Sequence, residues 1–168
     1  LAQFQRSLTR LKTGRVDLLQ VHNLRDWRTQ LALIEALKAE GKVRYSGLTH
    51  YTESGQDELA AAVRAGRPDF LQVNYSVIAR GAETALFPLA QELGIAVLIN
   101  RAFDDGRLFA RARGKALPGW AAEAGIHSWA QAFLRFALTP AAVTAVIPAT
   151  AKPQHLSDNL QAGVGAPL

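Results

Sequence analysis

Cysteine and methionine are both absent from this sequence of 168 residues. Without cysteine there are no disulfides, no thiolate metal sites and no cysteine nucleophile, while the redox compartment stays open. Without methionine, and with Leu1 in first place, the sequence carries no translation start. It is therefore expected to be a piece of a longer chain, any signal peptide lying upstream. Long apolar runs are missing too: charges or turn residues interrupt every stretch short of the roughly 20 residues of a membrane span. No membrane partner is expected, and the expected location is the cytoplasm. No low-complexity tract or Pro/Gly-rich linker divides the chain, so residues 1–168 are expected to form one domain.

What is present is the composition of a globular protein, 49% hydrophobic and 20% charged. The 19 basic residues exceed the 14 acidic ones, a net charge of +5. They are scattered, apart from Arg107, Arg111, Arg113 and Lys115, and that group lacks the interleaved aromatics of a single-strand platform. A nucleic-acid partner is not expected. The basic excess reads either as a solvated face or as a field that attracts a phosphorylated small molecule.

Short β-rich runs alternate with amphipathic stretches. Leu1, Phe4, Leu8 and Leu11 keep helical spacing with no cap ahead of them. Strands are predicted over 16–21, 43–48, 70–73, 95–99 and 143–147. Helices are predicted over 30–39, 58–65, 83–93, 128–138 and 153–162, several stopped by a glycine (Gly41, Gly66, Gly94) and the last opened by Pro153. Residues 101–119 are predicted to be a long loop, and Trp129 and Phe133 to face the barrel. Strand–helix alternation at roughly 26-residue spacing implies repeated βαβ units and a parallel sheet. A doubly wound sheet would carry a Gly-rich turn after its first strand, where His22-Asn23-Leu24-Arg25 stands instead. A (β/α)8 TIM barrel needs about 250 residues. The expected fold is α/β, a partial TIM barrel comprising about its last five β/α units.

Barrel sites lie at the C-terminal ends of the strands. In order, those exits carry His22-Asn23, Thr49-His50-Tyr51, Gln72 and Asn74, Asn100-Arg101, and Thr150-Ala151-Lys152. One polar exit is ordinary. Five in succession, lined with amides, hydroxyls and histidines, point to a polar ligand.

Three segments together resemble the aldo-keto reductase family. They are Ser7 to Leu11 with Val16-Asp17-Leu18-Leu19-Gln20-Val21-His22, the run Leu37 to Thr49, and Val146-Ile147-Pro148-Ala149-Thr150 with Asn159. The resemblance covers nearly the whole chain in the right order. It implies an NADP-dependent oxidoreductase, with NAD a second candidate, that reduces small aldehydes or ketones to alcohols by hydride transfer. The family's catalytic Tyr, Lys and Asp would lie upstream of Leu1, so the fragment alone would be inactive. His22 matches the catalytic histidine that hydrogen-bonds the substrate carbonyl. Tyr45, Tyr51 and Tyr75 do not stand at the family's tyrosine position.

The same resemblance implies the cofactor residues. Thr49 and Gln72 match the hydroxyl and amide that hold the nicotinamide carboxamide, and His50 replaces the usual Asn. Asn100 stands where many members stack an aromatic ring, and Arg101 replaces the following Ser. Thr150, Lys152 and the helix opening at Pro153 match the adenosine-phosphate site. His155 replaces an Arg, Ala149 a Lys, and Asn159 matches the adenine contact. The loop from Arg101 to Gly119 matches the segment over the cofactor pyrophosphate, where Arg101 or Arg107 could meet phosphate. No metal site is expected. The alternative is a barrel relative that binds the cofactor without turnover, as a sensing or interaction subunit.

Overall fold

A computed structural model describes residues 1–164. The elements run α1 (Ala2–Leu11), β1 (Val16–Val21), α2 (Trp27–Ala39), β2 (Val43–Thr49), α3 (Gln56–Gly66), β3 (Phe70–Asn74), α4 (Leu86–Leu93) and β4 (Ala96–Asn100). Then follow α5 (Arg107–Ala112), α6 (Gly119–Glu123), α7 (Trp129–Leu138), β5 (Val143–Val146) and α8 (Pro153–Gln161). The five strands form one parallel sheet in sequence order, β1-β2-β3-β4-β5. Consecutive parallel neighbours joined by helices are the repeat of a (β/α) barrel wall.

Alternation along each strand divides the sheet into two unlike faces. On one face Leu48, Leu71, Val73, Val97 and Ile99 are 0% exposed. They join Leu31, Ile34 and Leu37 of α2, Leu59 and Val63 of α3, Leu86 and Leu89 of α4, and Leu134 of α7 in one core. The 3.6-residue spacing of those helix positions is what places them on the sheet. The other face carries Leu18 and Gln20, Tyr45, Gly47 and Thr49, Phe70, Gln72 and Asn74, Leu98 and Asn100, and Ala145. Register sets Gly47 against both Gln20 and Phe70, and Gln72 against both Thr49 and Leu98. Among the described residues no helix covers this face, and Leu18, Phe70 and Leu98 remain half-buried. In a barrel this is the side that turns toward the axis.

Glycine turns end two helices as predicted. Gly41 and Gly94 take φ of 72° and 67° where α2 and α4 give way to β2 and β4, a conformation that costs any residue with a Cβ. Three expectations are corrected. Residues 101–119 hold the helix α5 and the start of α6, because Leu108 and Ala112 bury against Phe133 as a second small core. Phe133 accordingly faces α5 and not the sheet, with Trp129 stacked on it at 5.5 Å. The helix predicted from residue 83 begins at Leu86, since Gly81–Glu83 is a separate 3-10 turn. There Glu83 turns back to take a hydrogen bond from the Tyr75 hydroxyl at 2.5 Å and two from Arg80.

The entrance end of the sheet is tied by charge. Asp69 accepts from Lys38 Nζ at 2.5 Å and from the Ser46 N–H and hydroxyl at 2.8 and 3.0 Å. Burial pushes the Asp69 carboxyl up, but these donors outweigh it and hold the group below the usual carboxylate range. No helix among the described residues is long and apolar enough to cross a membrane.

Candidate active site

The C-terminal ends of the strands gather most of the predicted residues on one face. His22 follows Val21, which pairs with Leu48, so it stands level with Thr49. It opens a tight 3-10 turn in which Asn23 and Leu24 take φ of 52° and 56°. The Thr49 hydroxyl staples that turn. It accepts from the Asn23 N–H at 3.0 Å and donates to the Val21 carbonyl at 3.2 Å. A hydroxyl has one proton and two lone pairs, so Thr49 keeps one acceptor position and no donor for a ligand. His22 itself is exposed and lines an open groove of about 620 Å³ along the free edge of β1, with Leu18, Gln20 and Arg25.

Amide side chains fill the space beside it. Gln20 Nε2 donates to Gln72 Oε1 at 2.9 Å, reaching across β2 from β1 to β3. Gly47 makes this reach possible, since a Cβ there would stand 2.8 Å from Gln20 Cγ and 2.9 Å from its Oε1. Gln72 thus spends its oxygen on Gln20 and keeps its NH2. One step further out, Asn74 accepts from Gln56 Nε2 at 3.3 Å and pairs in register with Asn100. Asn100 Oδ1 is buried without a donor, as is Gln20 Oε1. Asn74 was expected at this exit, whereas Gln20 and Gln56 were not singled out from the sequence; for Gln20 the available signal was an amide two positions before His22 on the same strand face.

His50 and Arg101 are brought together by a residue between them. The His50 ring stacks on Tyr51 at 5.8 Å and 15°, and the Arg101 guanidinium lies 5.2 Å from the Tyr51 ring centre. His50 Nδ1 takes the Thr52 N–H at 3.3 Å, and its ring rests where a Gly55 Cβ would fall within 2.1 Å. Arg101 is paired with Asp105 as well, so it is not open to phosphate in this arrangement. Arg107 is held by Asp104 at 2.6 Å.

Thr150, Lys152 and His155 are exposed where α8 opens, beyond β5, while Asn159 is buried on that helix. Thr150 Oγ1 accepts from the Lys152 N–H at 3.2 Å. Three unforeseen residues fix α8. Asp158 accepts from the Ser128 hydroxyl at 2.7 Å and from Gln131 Nε2 at 2.6 Å, and Ser128 caps α7 by accepting from the Gln131 N–H. Ser128 and Gln131 have capping-box spacing, which the sequence displays. Asp158 has no local signal, because its partners are 27 and 30 residues away.

The other two tyrosines stand elsewhere. Tyr75 is 2% exposed behind the sheet, stacked on Phe136. Burial and the Glu83 carboxylate both push its hydroxyl pKa well above the ordinary tyrosine value. Tyr45 packs on Phe70. Among the described residues no cluster of His, Asp or Glu could hold a metal ion.

The sequence profile of the aldo/keto reductase family matches residues 1–166. The chain belongs to the aldo/keto reductase family. Over 125 residues it is 27% identical to an NADH-specific methylglyoxal reductase of Escherichia coli, covering 68% of this chain and 36% of that protein. Aldo-keto reductase AKR11C1 from Bacillus halodurans superposes over 99% of this chain and 62% of its own, with a TM-score of 0.76 and 23% identity. An aldo/keto reductase from Klebsiella pneumoniae, solved in complex with NADP and acetate, has a TM-score of 0.78 and 28% identity. That match covers 95% of this chain and 57% of the other. The chain thus spans under two thirds of the length of these relatives.

Proposed function

We propose that this chain supplies the carbonyl-orienting and cofactor-holding part of an NADP-dependent reductase of small aldehydes or ketones. The observation that carries the reading is the convergence of His22, Thr49, Gln72 and Asn100 on one face at the C-terminal ends of four adjacent parallel strands. The Klebsiella relative was solved with NADP and the Escherichia coli relative is named NADH-specific, which supports NADP with NAD as second choice.

The side chains fit a nicotinamide carboxamide. The free NH2 of Gln72 can donate to its oxygen, and the remaining lone pair of Thr49 can accept from its nitrogen. Where a ring would stack, Asn100 offers an amide. At the far end, Lys152, Thr150 and the amides opening the nine-residue helix α8 suit the adenosine phosphate, since a helix N-terminus favours negative charge. His155 and Asn159 lie one and two turns further on and complete this end.

When bound, the cofactor supplies the hydride that reduces the carbonyl carbon. His22 would then donate to the carbonyl oxygen, where negative charge develops. Thr49 holds the turn that aims it. The proton that completes the alcohol is not assigned to a tyrosine of this chain, since Tyr45 packs on Phe70 four residues before the exit of β2, Tyr75 lies behind the sheet and Tyr51 under Arg101. That donor is assigned to the protein outside residues 1–164.

The test is His22→Ala in the intact protein, assayed by NADPH oxidation with methylglyoxal or another small aldehyde. Turnover should fall about 10²-fold or more, as for loss of one oxyanion donor, with NADPH affinity unchanged. An unchanged kcat would refute the role of His22.

A further inference from the structure

Gln20 is an amide set among Leu18, Tyr45 and Phe70 on the face that turns toward the barrel axis, one layer below Thr49 and Gln72. It stands two strand spacings, about 10 Å, from β3, yet its Nε2 donates to Gln72 Oε1 at 2.9 Å. The reach runs over Gly47, where a Cβ would come within 2.8 Å of Gln20 Cγ. The bond does not satisfy Gln20, whose own Oε1 is buried without a donor. A buried acceptor left unpaired costs stability, and an aliphatic side chain would suit these neighbours without that cost. The amide at position 20 is therefore explained by what it does to Gln72.

Two facing amides can pair in either sense. Were Gln20 to offer its oxygen, Gln72 would turn its NH2 toward Gln20 and present its own oxygen outward. The bond runs the other way, so Gln72 presents its NH2. Thr49 stands beside it in register, and its proton goes to the Val21 carbonyl at 3.2 Å, which leaves a lone pair alone on offer. Both directions are thus imposed from β1: Val21 takes the Thr49 proton, and Gln20 takes the Gln72 oxygen. The outcome is one donor next to one acceptor, the complement of a primary carboxamide. With Gln72 reversed there would be two acceptors, and a carboxamide oxygen would find no donor in this pair.

We propose that Gln20 is a positioning residue that fixes the polarity of the Thr49–Gln72 pair, so that it takes a primary carboxamide in one orientation. The proposal rests on the dinucleotide reading above. Gln20 acts through Gln72 and not on the cofactor itself. Without it the Gln72 amide turns freely about its last bond, and the apparent affinity falls with the fraction of molecules whose NH2 points outward.

The experiment is a fluorescence titration of the intact protein with NADPH and, in parallel, with 2′-phospho-ADP-ribose, which lacks the nicotinamide. Gln20→Met keeps the length of the side chain and loses the amide. It should bind NADPH about two- to tenfold more weakly, the range for one neutral hydrogen bond, and the nicotinamide-free probe as tightly as wild type. In a Gln72→Met background Gln20→Met should bring no further loss. Gly47→Ala, which closes the path over β2, should reproduce the loss, and should bring none in a Gln20→Ala background. If Gln20→Met leaves NADPH affinity unchanged while wild type binds NADPH, the control of polarity is refuted and the dinucleotide reading stands. If the loss extends equally to 2′-phospho-ADP-ribose, Gln20 only supports the fold, and the proposal is overturned. If the loss persists without the Gln72 amide, Gln20 meets the cofactor directly, and the proposal is again overturned. If wild type binds neither NADPH nor NADH, the dinucleotide reading fails and takes the proposal with it.

Discussion

Replacing Thr49 with valine removes one hydroxyl and almost no volume, so it isolates the staple behind His22. Thr49 is 5% exposed, and water does not readily take the place of the lost group. The Asn23 N–H and the Val21 carbonyl each lose a partner, at 3.0 and 3.2 Å respectively. A buried polar group left unpaired costs about 1–3 kcal/mol, and one of the two can find partial compensation, so the expected loss is about 2–4 kcal/mol. For a domain of this size that corresponds to a fall in Tm of roughly 5–15 °C. The turn it secures has two residues at positive φ, Asn23 and Leu24, and relaxes once the staple is gone. If the intact protein has the proposed reductase activity, that activity should then fall through kcat. Thr49→Ser keeps the hydroxyl and should stay within about 1.5 kcal/mol of the parent, since only a methyl is lost. Thermal unfolding followed by circular dichroism reads both variants. A Thr49→Val protein as stable as its parent, or a Thr49→Ser protein as impaired as Thr49→Val, would refute the staple.

Gly55→Ala drives a methyl into the His50 ring, whose atoms lie 2.1 to 2.6 Å from the added Cβ. It should cost about 1–3 kcal/mol in chemical denaturation, as overpacking does, and His50→Ala should relieve most of that in the double variant. A full cost without His50 would contradict the packing described. Asp69 has a carboxyl pKa below its ordinary value of 3.8 in the folded chain. Its contribution is therefore complete above about pH 4 and is lost as pH falls through the lower, folded value. Lys38 is held above 10.5: burial lowers it, and Asp69 and Glu35 more than reverse this. Its share is complete below that pH and is lost as pH rises through the folded value. Asp69→Asn should cost about 1 kcal/mol at neutral pH after allowance for solvent exposure. It should also flatten the acid limb of a stability–pH curve, and an acid limb identical to wild type would exclude Asp69 as its source.

The order of elements was written in the sequence because local rules decide it. Apolar residues at helical spacing, such as Leu31, Ile34 and Leu37, bury one side of α2, and Gly41 and Gly94 stop helices where a left-handed residue is required. The polar exits of the strands were legible for the same reason, and they directed attention to His22, Thr49, Gln72 and Asn100. What those side chains do with their hydrogen bonds was decided only by folding. Gln20 meets Gln72 across 52 residues, over a glycine that matters only once the two strands flank it. Asn23 meets Thr49 across 26 residues, so a hydroxyl that looks free in sequence is largely spent on the neighbouring strand. The segment after β4 reads as a loop because Leu108 and Ala112 gain their partner, Phe133, from α7. Likewise Arg101 looks available to a phosphate until the turn brings Asp105 and Tyr51 against it. Helix and strand type follow from neighbours within a turn or two, whereas the state of a polar group depends on whichever distant segment the sheet places beside it.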